Sequence, residues 1–285
     1  MADIDWSEHY IKRGDPSKPT YYIIRRALSN GWLPVVDMQN YPNLYLPPEK
    51  LGKENSWEYY FEQPLRIGLE QAYNGENVIL SGDGIWPHPS ILMAFYENLN
   101  NNLFEWRMLV KFGLLKVKPA LMEEISAVRQ KLFAPNDRVL GVLLRGTDYV
   151  ATRPHNHPIP PTTEFAASIV VEKLQQWQCN KIYLATEDKT IVQAFKQIFG
   201  DLCVTFDREY VDYKQERFVN AVHIDRPNDH FRQGKDYLTQ MMLLAACNSF
   251  VAARCAGATS VMMMTDKFEH TYFFNLGRYG VIGLD

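Results

Sequence analysis

Strand-like and helix-like segments alternate regularly in the second half of the chain, after a turn cluster at residues 134–137. Apolar runs of strand length lie at 138–144, 181–186, 203–206 and 249–253. Helical patterns between them lie at 162–177, 189–199 and 235–247. Strands that alternate with helices need crossover connections, so they form a parallel sheet with helices on both faces. The pattern predicts a doubly wound α/β domain over residues 135–285.

The first half of the chain is less regular and predicts a smaller α/β domain over residues 1–134. Short apolar strands are expected at 33–37 and 78–80, and residues 1–20 are expected to be an irregular lead-in. Helices are expected at 21–30, 91–112 and 119–133. Aromatic residues concentrate at 55–64, where core packing is favoured over an exposed binding wall.

Composition limits the partners of the protein. Thirty basic and thirty-three acidic residues in a chain of 285 give a net charge of -3, which disfavours nucleic acid. No apolar run reaches the ~20 residues that span a bilayer, and the N-terminus lacks the pattern of a secretory signal. We expect a cytoplasmic protein, or one peripheral to a membrane. The four cysteines form no Cys-x-x-Cys pair and are expected to be buried thiols.

The strand at 138–144 ends abruptly in Arg145, Gly146, Thr147 and Asp148. Ligands of open α/β sheets bind just outside the carboxyl ends of the strands. Arginine is well suited to phosphate, because its guanidinium donates two parallel hydrogen bonds. A binding role is favoured here, and an ion pair between Arg145 and Asp148 is the alternative.

Two further strand ends carry polar or small residues. The strand at 181–186 ends in Thr186, Glu187 and Asp188, and either these residues contact a ligand or Thr186 or Asp188 caps the next helix. Small residues at 253–260 let the backbone approach a ligand and expose amide hydrogens at a helix start.

Three more polar side chains belong to this set of candidates. Asp236 lies near the start of the predicted helix 235–247, where the helix dipole favours a carboxylate. His155 and His157 lie in the loop after Arg145 and either shape a sugar pocket or make ordinary hydrogen bonds. No third ligand at a recognisable spacing supports a metal site.

Several other chemistries lack their sequence patterns. The chain has no Gly-x-Gly-x-x-Gly, no phosphate-binding Gly-x-x-x-x-Gly-Lys-Ser/Thr and no Gly-x-Ser-x-Gly. An Asp-x-Asp of the kind used by metal-dependent nucleotide-sugar enzymes occurs only in the polar tail, at Asp3 and Asp5. The remaining interpretation is an arginine clamp on a diphosphate, in which the protein stabilises the leaving group without a metal.

The second half resembles the GDP-fucose-dependent fucosyltransferases of the α1,2, α1,6 and protein O-fucosyltransferase group. Four segments carry the resemblance in order over about 120 residues: 141–148, 157–159, 182–188 and 249–260. The resemblance implies a GT-B fold of two Rossmann-like domains, with an inverting, metal-independent transfer of fucose from GDP-fucose to a glycan hydroxyl. The first domain would contribute the acceptor side. No cofactor is implied, because the nucleotide sugar is a substrate.

The resemblance also assigns roles to single residues. Arg145 aligns with the arginine that holds the β-phosphate of GDP, and Asp148 with an aspartate near the donor sugar. Glu187 and Asp188 align with nucleotide-side carboxylates, and Asp236 with a carboxylate that reads guanine or ribose. The expected donor-binding residues are Arg145, Gly146, Thr147, Thr186, Glu187, Asp188, Asp236, Ala256, Gly257 and Thr259.

The catalytic base stays open among several side chains. A second basic residue usually follows the first arginine of the motif, but Gly146 stands there, and a catalytic carboxylate of the α1,6 enzymes falls near Arg153. The candidates for the base are Asp148, His155, His157, Asp37 and Asp83. A transferase that uses another nucleotide sugar, or a non-catalytic nucleotide- or glycan-binding protein on the same scaffold, is the alternative.

Overall fold

The structure, a computed structural model, describes residues 8–12, 20–80, 99–146, 150, 153, 155–212 and 224–281. The strands are β1 (Glu8–Lys12), β2 (Leu33–Val36), β3 (Asn77–Leu80), β4 (Val139–Leu143), β5 (Lys181–Ala185), β6 (Cys203–Thr205), β7 (Ser249–Ala253) and β8 (His270–Phe274). The helices are α1 (Thr20–Ser29), α2 (Leu69–Tyr73), α3 (Leu99–Lys111), α4 (Pro119–Leu132), α5 (Thr163–Gln176), α6 (Lys189–Phe199), α7 (Asp229–Ala245) and α8 (Ala256–Met264). No helix in these ranges is long and apolar enough to cross a membrane.

The chain divides into two compact units. The first contains residues 1–123 and 226–235, and the second contains 124–225 and 236–285. The division lies inside α4, whereas the sequence suggests a boundary in the turn at 134–137. The later half of α4 belongs to the second unit because Val128 and Leu132 pack against the core of its sheet.

The sheet of the second unit has five parallel strands in the order β6-β5-β4-β7-β8. Counted from β4, this order is 3-2-1-4-5, which is the strand order of dinucleotide-binding folds. The chain therefore changes direction across the sheet between β4 and β7. At this turning point the carboxyl ends of the strands open a crevice in which such folds bind ligands.

Both faces of this sheet are covered by helices, as the sequence predicts. Leu140 and Val142 of β4 pack on one face with residues of α5 and α6. Val139 and Leu143 pack on the other face with residues of α7 and α8. Every residue of β4 is buried, which explains its continuous apolar run.

The second unit has one strand beyond those predicted. The sequence places the last strand at 249–253, but β8 adds a parallel edge strand beside β7. Its first residues, His270 and Thr271, are exposed, and only Phe274 is fully buried. An edge strand pairs on one side only, so its sequence need not carry the long apolar run of a central strand.

The first unit contains a parallel sheet in the order β2-β1-β3. Its central strand, β1, lies in the segment expected to be an irregular lead-in, so that expectation is wrong for residues 8–12. Pairing with β2 on one side and β3 on the other determines this strand, and neither partner is adjacent to it in sequence. Tertiary pairing overrides weak local propensity here.

The aromatic segment at 55–64 is part of the core of the first unit, as expected. Trp57 and Tyr60 are buried, and the ring of Trp57 stacks on that of Phe61 with centroids 4.4 Å apart. Trp57 also packs in a cluster with Ile24 and Leu109. The alternative of an exposed binding wall does not apply to these buried rings.

The burial of the cysteines gives the first testable prediction. Cys203, Cys247 and Cys255 are buried, Cys179 is partly buried, and all four are free thiols. Burial raises the pKa of all four thiols, that of Cys203 to about 11, so the order of reaction should follow exposure, which is greatest for Cys179. We expect iodoacetamide to modify Cys179 first in the native protein, and the other three only after unfolding. Peptide mapping with and without denaturant measures this order, and rapid native labelling of Cys247 would contradict it.

Candidate functional site

The candidate site lies in the second unit, at the turning point between β4 and β7. Arg145 follows β4, and Cys255 follows β7. Leu143 pairs with Ala252 in these adjacent parallel strands, so both segments leave the sheet at the same edge. A small cavity at this edge is lined by Arg145, Pro158, Pro160, Ala253, Arg254 and Cys255.

Arg145 forms an ion pair with Glu187, which follows the neighbouring strand β5. The Nε atom of Arg145 lies 3.5 Å from Oε1 of Glu187, and their side chains are only 22% and 16% exposed. The sequence suggested Asp148 as an alternative partner, but Asp148 lies outside the described residues. The guanidinium is therefore held at the strand end by a carboxylate from the next strand.

Gly146 lies directly against Asp188. A Cβ atom added at residue 146 would come within 3.0 Å of Cβ and Cγ of Asp188, and would contact one of its carboxylate oxygens even more closely. Any larger residue at 146 must displace Asp188 or move the strand end. This contact accounts for a glycine at position 146.

Asp188 and Thr186 shape the end of β5. The carboxylate of Asp188 accepts hydrogen bonds from the backbone N–H groups of Thr190 (2.7 Å) and Ile191 (3.4 Å), so it caps α6. Thr186 is buried, and its Oγ1 accepts from the N–H of Asp188 at 3.1 Å. Two hypotheses were open for these residues, helix capping and ligand binding. The structure shows that Asp188 caps the helix, while a contact of Thr186 or Asp188 with the sugar nucleotide stays a prediction.

The start of α8 presents backbone rather than side chains to the site. Cys255 is the N-cap, and its sulfur accepts from the N–H of Ala258 at 3.4 Å. Burial raises the pKa of this thiol, and the positive charge of Arg145 opposes the shift. A Cβ at Gly257 would lie 2.9 Å from the Tyr237 hydroxyl.

Two residues of α8 differ in what they offer a ligand. Ala256 is exposed, whereas Thr259 is buried and its hydroxyl donates to the carbonyl of Cys255 at 3.4 Å. The side chain of Thr259 therefore serves the helix itself. Among the expected donor-binding groups of this segment, the N–H groups at Ala256 and Gly257 in the first turn are the ones that suit an anion.

The loop with His155 and His157 is held by residues near the end of the chain. The N–H of Asn156 donates to Tyr279 O at 2.8 Å, and the N–H of Tyr279 donates to His157 O at 3.1 Å. The N–H of Ile159 donates to Gly277 O at 3.0 Å. Both histidines are exposed, and this segment brings Pro158 and Pro160 to the cavity.

The structure places Asp236 away from the helix start. Helix α7 begins at Asp229, not near residue 235, and Asp229 is the acidic residue of its first turn. Asp236 lies about two turns into the helix and is partly exposed. The dipole argument therefore applies to Asp229, which forms an ion pair with Arg226 at 2.7 Å.

The structure describes three of the five candidates for a catalytic base, Asp37, His155 and His157. The other two, Asp148 and Asp83, lie outside the described residues, as does the expected donor-binding residue Thr147. Asp37, in the first unit, is fully buried, and its carboxylate accepts from Gln39 N (2.8 Å), Asn40 N (3.1 Å) and the Tyr73 hydroxyl (2.5 Å). Burial and this hydrogen bond raise the pKa of Tyr73 well above its usual value. Asp37 thus stabilises the loop after β2.

The cavity is small, and the described residues form no metal-binding cluster. The cavity encloses about 10 Å³, which is close to what one water molecule needs, so the described residues alone do not enclose a nucleotide. Within the described ranges, no three or more His, Cys, Asp or Glu side chains come together in a way that would hold a metal ion.

Arg254 is the cavity residue that the sequence interpretation missed, although it lies within the segment 253–260. The signal that points to it is its position, because it follows β7 as Arg145 follows β4. That signal becomes visible only when the two strands are known to be neighbours.

No protein-family model matches the sequence, and no curated protein is similar to it in sequence. Solved structures are similar in fold. The α-1,6-fucosyltransferase NodZ soaked with GDP-fucose matches with a TM-score of 0.54 and 16% identity, over 96% of this chain and 97% of that one. NodZ co-crystallised with GDP matches with a TM-score of 0.53 and 13% identity, over 94% and 95%.

A further structure of this fucosyltransferase, from Bradyrhizobium, matches with a TM-score of 0.53 and 15% identity, over 96% of this chain and 97% of that one. Such low identity shows the fold and leaves the activity to be proposed. The predicted resemblance to the fucosyltransferases is confirmed as structural similarity over nearly the full length: the chain is an α/β protein with the fold of NodZ.

Proposed function

We propose that this protein is an inverting GT-B glycosyltransferase that moves fucose from GDP-fucose to a glycan hydroxyl. One observation carries the proposal: Arg145 lies at the turning point of a sheet with the strand order of nucleotide-binding folds. The fold of a fucosyltransferase that has been soaked with GDP-fucose supports it. Its cytoplasmic location and the acceptor role of its first domain stay predictions.

Arg145 would bind the β-phosphate of the donor. Its guanidinium can donate two parallel hydrogen bonds to phosphate oxygens, which is the geometry that binds this group best. As the bond between the sugar and the phosphate breaks, negative charge grows on the diphosphate. A guanidinium group held in place by an ion pair stabilises that charge without reorganising. One such preorganised hydrogen bond contributes about 3–4 kcal/mol in known enzymes.

The backbone at the start of α8 would support the same diphosphate. The N–H groups of Ala256 and Gly257 lie in the first turn, where no carbonyl of the helix accepts from them, and the helix dipole favours an anion there; the N–H of Gly257 also contacts the sulfur of Cys255. Gly257 permits close packing at this point, since a Cβ would meet Tyr237. These amides add to Arg145 rather than replace it.

A base must accept the proton of the acceptor hydroxyl as that oxygen attacks the anomeric carbon. Asp148 is proposed for this role because it follows Gly146 by two residues in the sequence. His155 and His157 are the alternatives, since both are exposed on the loop that reaches the cavity. Asp37 is not retained, because its carboxylate is buried and hydrogen-bonded.

Titration calorimetry with GDP and UDP tests the proposal. We expect GDP to bind and UDP to bind more weakly. Release of GDP from GDP-fucose, with and without a panel of glycan acceptors, then tests for turnover. Failure of the wild-type protein to bind GDP would contradict the assignment.

A non-catalytic nucleotide-binding protein is the second candidate. The observation that favours it is the burial of Asp37, which leaves the described part of the first unit without one of the expected bases. GDP binding without turnover across a broad acceptor panel would support this candidate.

A further inference from the structure

We infer that Arg254 is a second phosphate-binding residue, and that it forms with Arg145 a two-arginine clamp for the diphosphate. The identity of the nucleotide rests on the proposed function. The clamp itself rests on four observations about the second unit, which concern strand register, the cavity, an unpartnered nitrogen and local charge.

The register of the sheet places the two arginines at equivalent positions. Leu143 of β4 pairs with Ala252 of β7 in parallel. Arg145 and Arg254 each follow two residues after these partners. The two strands therefore leave the sheet side by side at its turning point, and each is followed by an arginine two residues after the paired position.

The two side chains share one cavity. Two of the six residues that line it are Arg145 and Arg254. The other four are uncharged at neutral pH, because burial keeps the Cys255 thiol protonated. Glu187 balances much of the charge of Arg145, but none of the described residues that line the cavity is acidic, so an anion bound there would relieve the remaining repulsion between the two arginines. A diphosphate is an anion with several oxygens that two guanidinium groups can share.

The Nε–H group of Arg254 is a third observation that points to a bound ligand. This nitrogen is buried and has no hydrogen-bond partner among the described residues. A buried donor on a charged group that makes no hydrogen bond is costly, and native structures usually avoid this cost. A phosphate oxygen at the cavity would satisfy it.

The local charge also requires a second cation. Glu187 pairs with Arg145 and cancels much of its charge, and the carboxylate of Asp188 is directed to the N-terminus of α6. Arg145 alone would therefore attract a polyanion weakly. Position 146 cannot supply the extra charge, because Asp188 occupies the space that a basic side chain there would need. Arg254, from the neighbouring strand, can supply it.

The test uses Arg254→Gln in the full-length protein, with calorimetric titration of GDP and of inorganic pyrophosphate. Loss of a charged hydrogen bond predicts GDP affinity lower by about 10- to 100-fold. Arg254→Lys should restore part of it, because the charge returns without the paired geometry. Arg254→Met keeps the apolar stem and replaces the glutamine variant if that one does not fold.

Arg138→Gln is the matched control, because Arg138 lies at the other end of β4 in a surface ion pair with Glu269. It should bind GDP as the wild type does. If the wild type binds GDP and Arg254→Gln binds it equally well, the clamp is overturned and the proposed function stands. If the wild type binds pyrophosphate through both arginines but not GDP, the clamp stands and the proposed function falls. Binding of neither probe overturns both.

Discussion

Arg145→Ala is expected to weaken GDP binding by about 100-fold or more. The reason is the loss of two charged hydrogen bonds to phosphate, each of which contributes about 1.5–3 kcal/mol. Arg145→Lys should recover only part of the affinity, since an ammonium group cannot donate two parallel hydrogen bonds. Calorimetry with GDP measures both variants.

The same substitution also affects stability, which the experiment must separate from binding. Glu187 is only 16% exposed and would lose the partner that lies 3.5 Å from its carboxylate. Removing a positive charge from beside a largely buried carboxylate is destabilising. The double variant Arg145→Ala/Glu187→Gln removes that charge, so it should regain stability but not GDP affinity. Recovery of GDP affinity in the double variant would contradict the phosphate role of Arg145.

Arg138→Ala is the control, because Arg138 directly precedes β4, at the end of the strand opposite to Arg145. Its guanidinium lies 2.6 Å from Glu269, and both side chains are about 40% exposed. Exposed ion pairs contribute only about 0–1 kcal/mol. We therefore expect a small change in unfolding free energy and no change in GDP affinity. Equal losses for Arg138→Ala and Arg145→Ala would show that the effect is not specific to the candidate site.

Gly146→Ala is expected to lower the free energy of unfolding by about 1–3 kcal/mol and to weaken GDP binding as well. The added Cβ would overlap with the carboxylate of Asp188, and crowding in a packed region costs about this much. Relief of the contact requires Asp188 to leave its capping position, and loss of an N-cap costs about 1 kcal/mol. GDP binding falls because the strand end that carries Arg145 must shift. Urea unfolding and calorimetry measure the two effects.

Two matched variants identify the cause. Gly68→Ala adds the same methyl group where no atom lies within 4 Å, and because Gly68 is the N-cap of α2 without a side-chain cap, it should cost no more than about 1 kcal/mol. Asp188→Ser keeps a capping oxygen but shortens the side chain, so Gly146→Ala should cost less in that background. Additive losses in the double variant would show that the contact with Asp188 is not the reason.

The sequence predicted the fold of the second unit well because its central strands are buried on both faces. The strands β4, β5 and β7 read as apolar runs, and the helices between them have clear periodic faces. Prediction failed for β1 and β8, whose pairing partners lie far along the chain or on one side only. It also misplaced the start of α7, because a polar loop and a polar first turn look alike in sequence.

The sequence by itself determined the chemistry of the strand end: an arginine after an apolar strand, a glycine beside it, and two residues, Thr186 and Asp188, of the types that cap a helix. These are local signals, read within a few residues. Only the tertiary structure decided that β4 and β7 are neighbours, that Glu187 pairs with Arg145, and that Arg254 lines the same cavity. Strand order depends on contacts between segments more than a hundred residues apart, and such contacts leave no pattern in the local sequence.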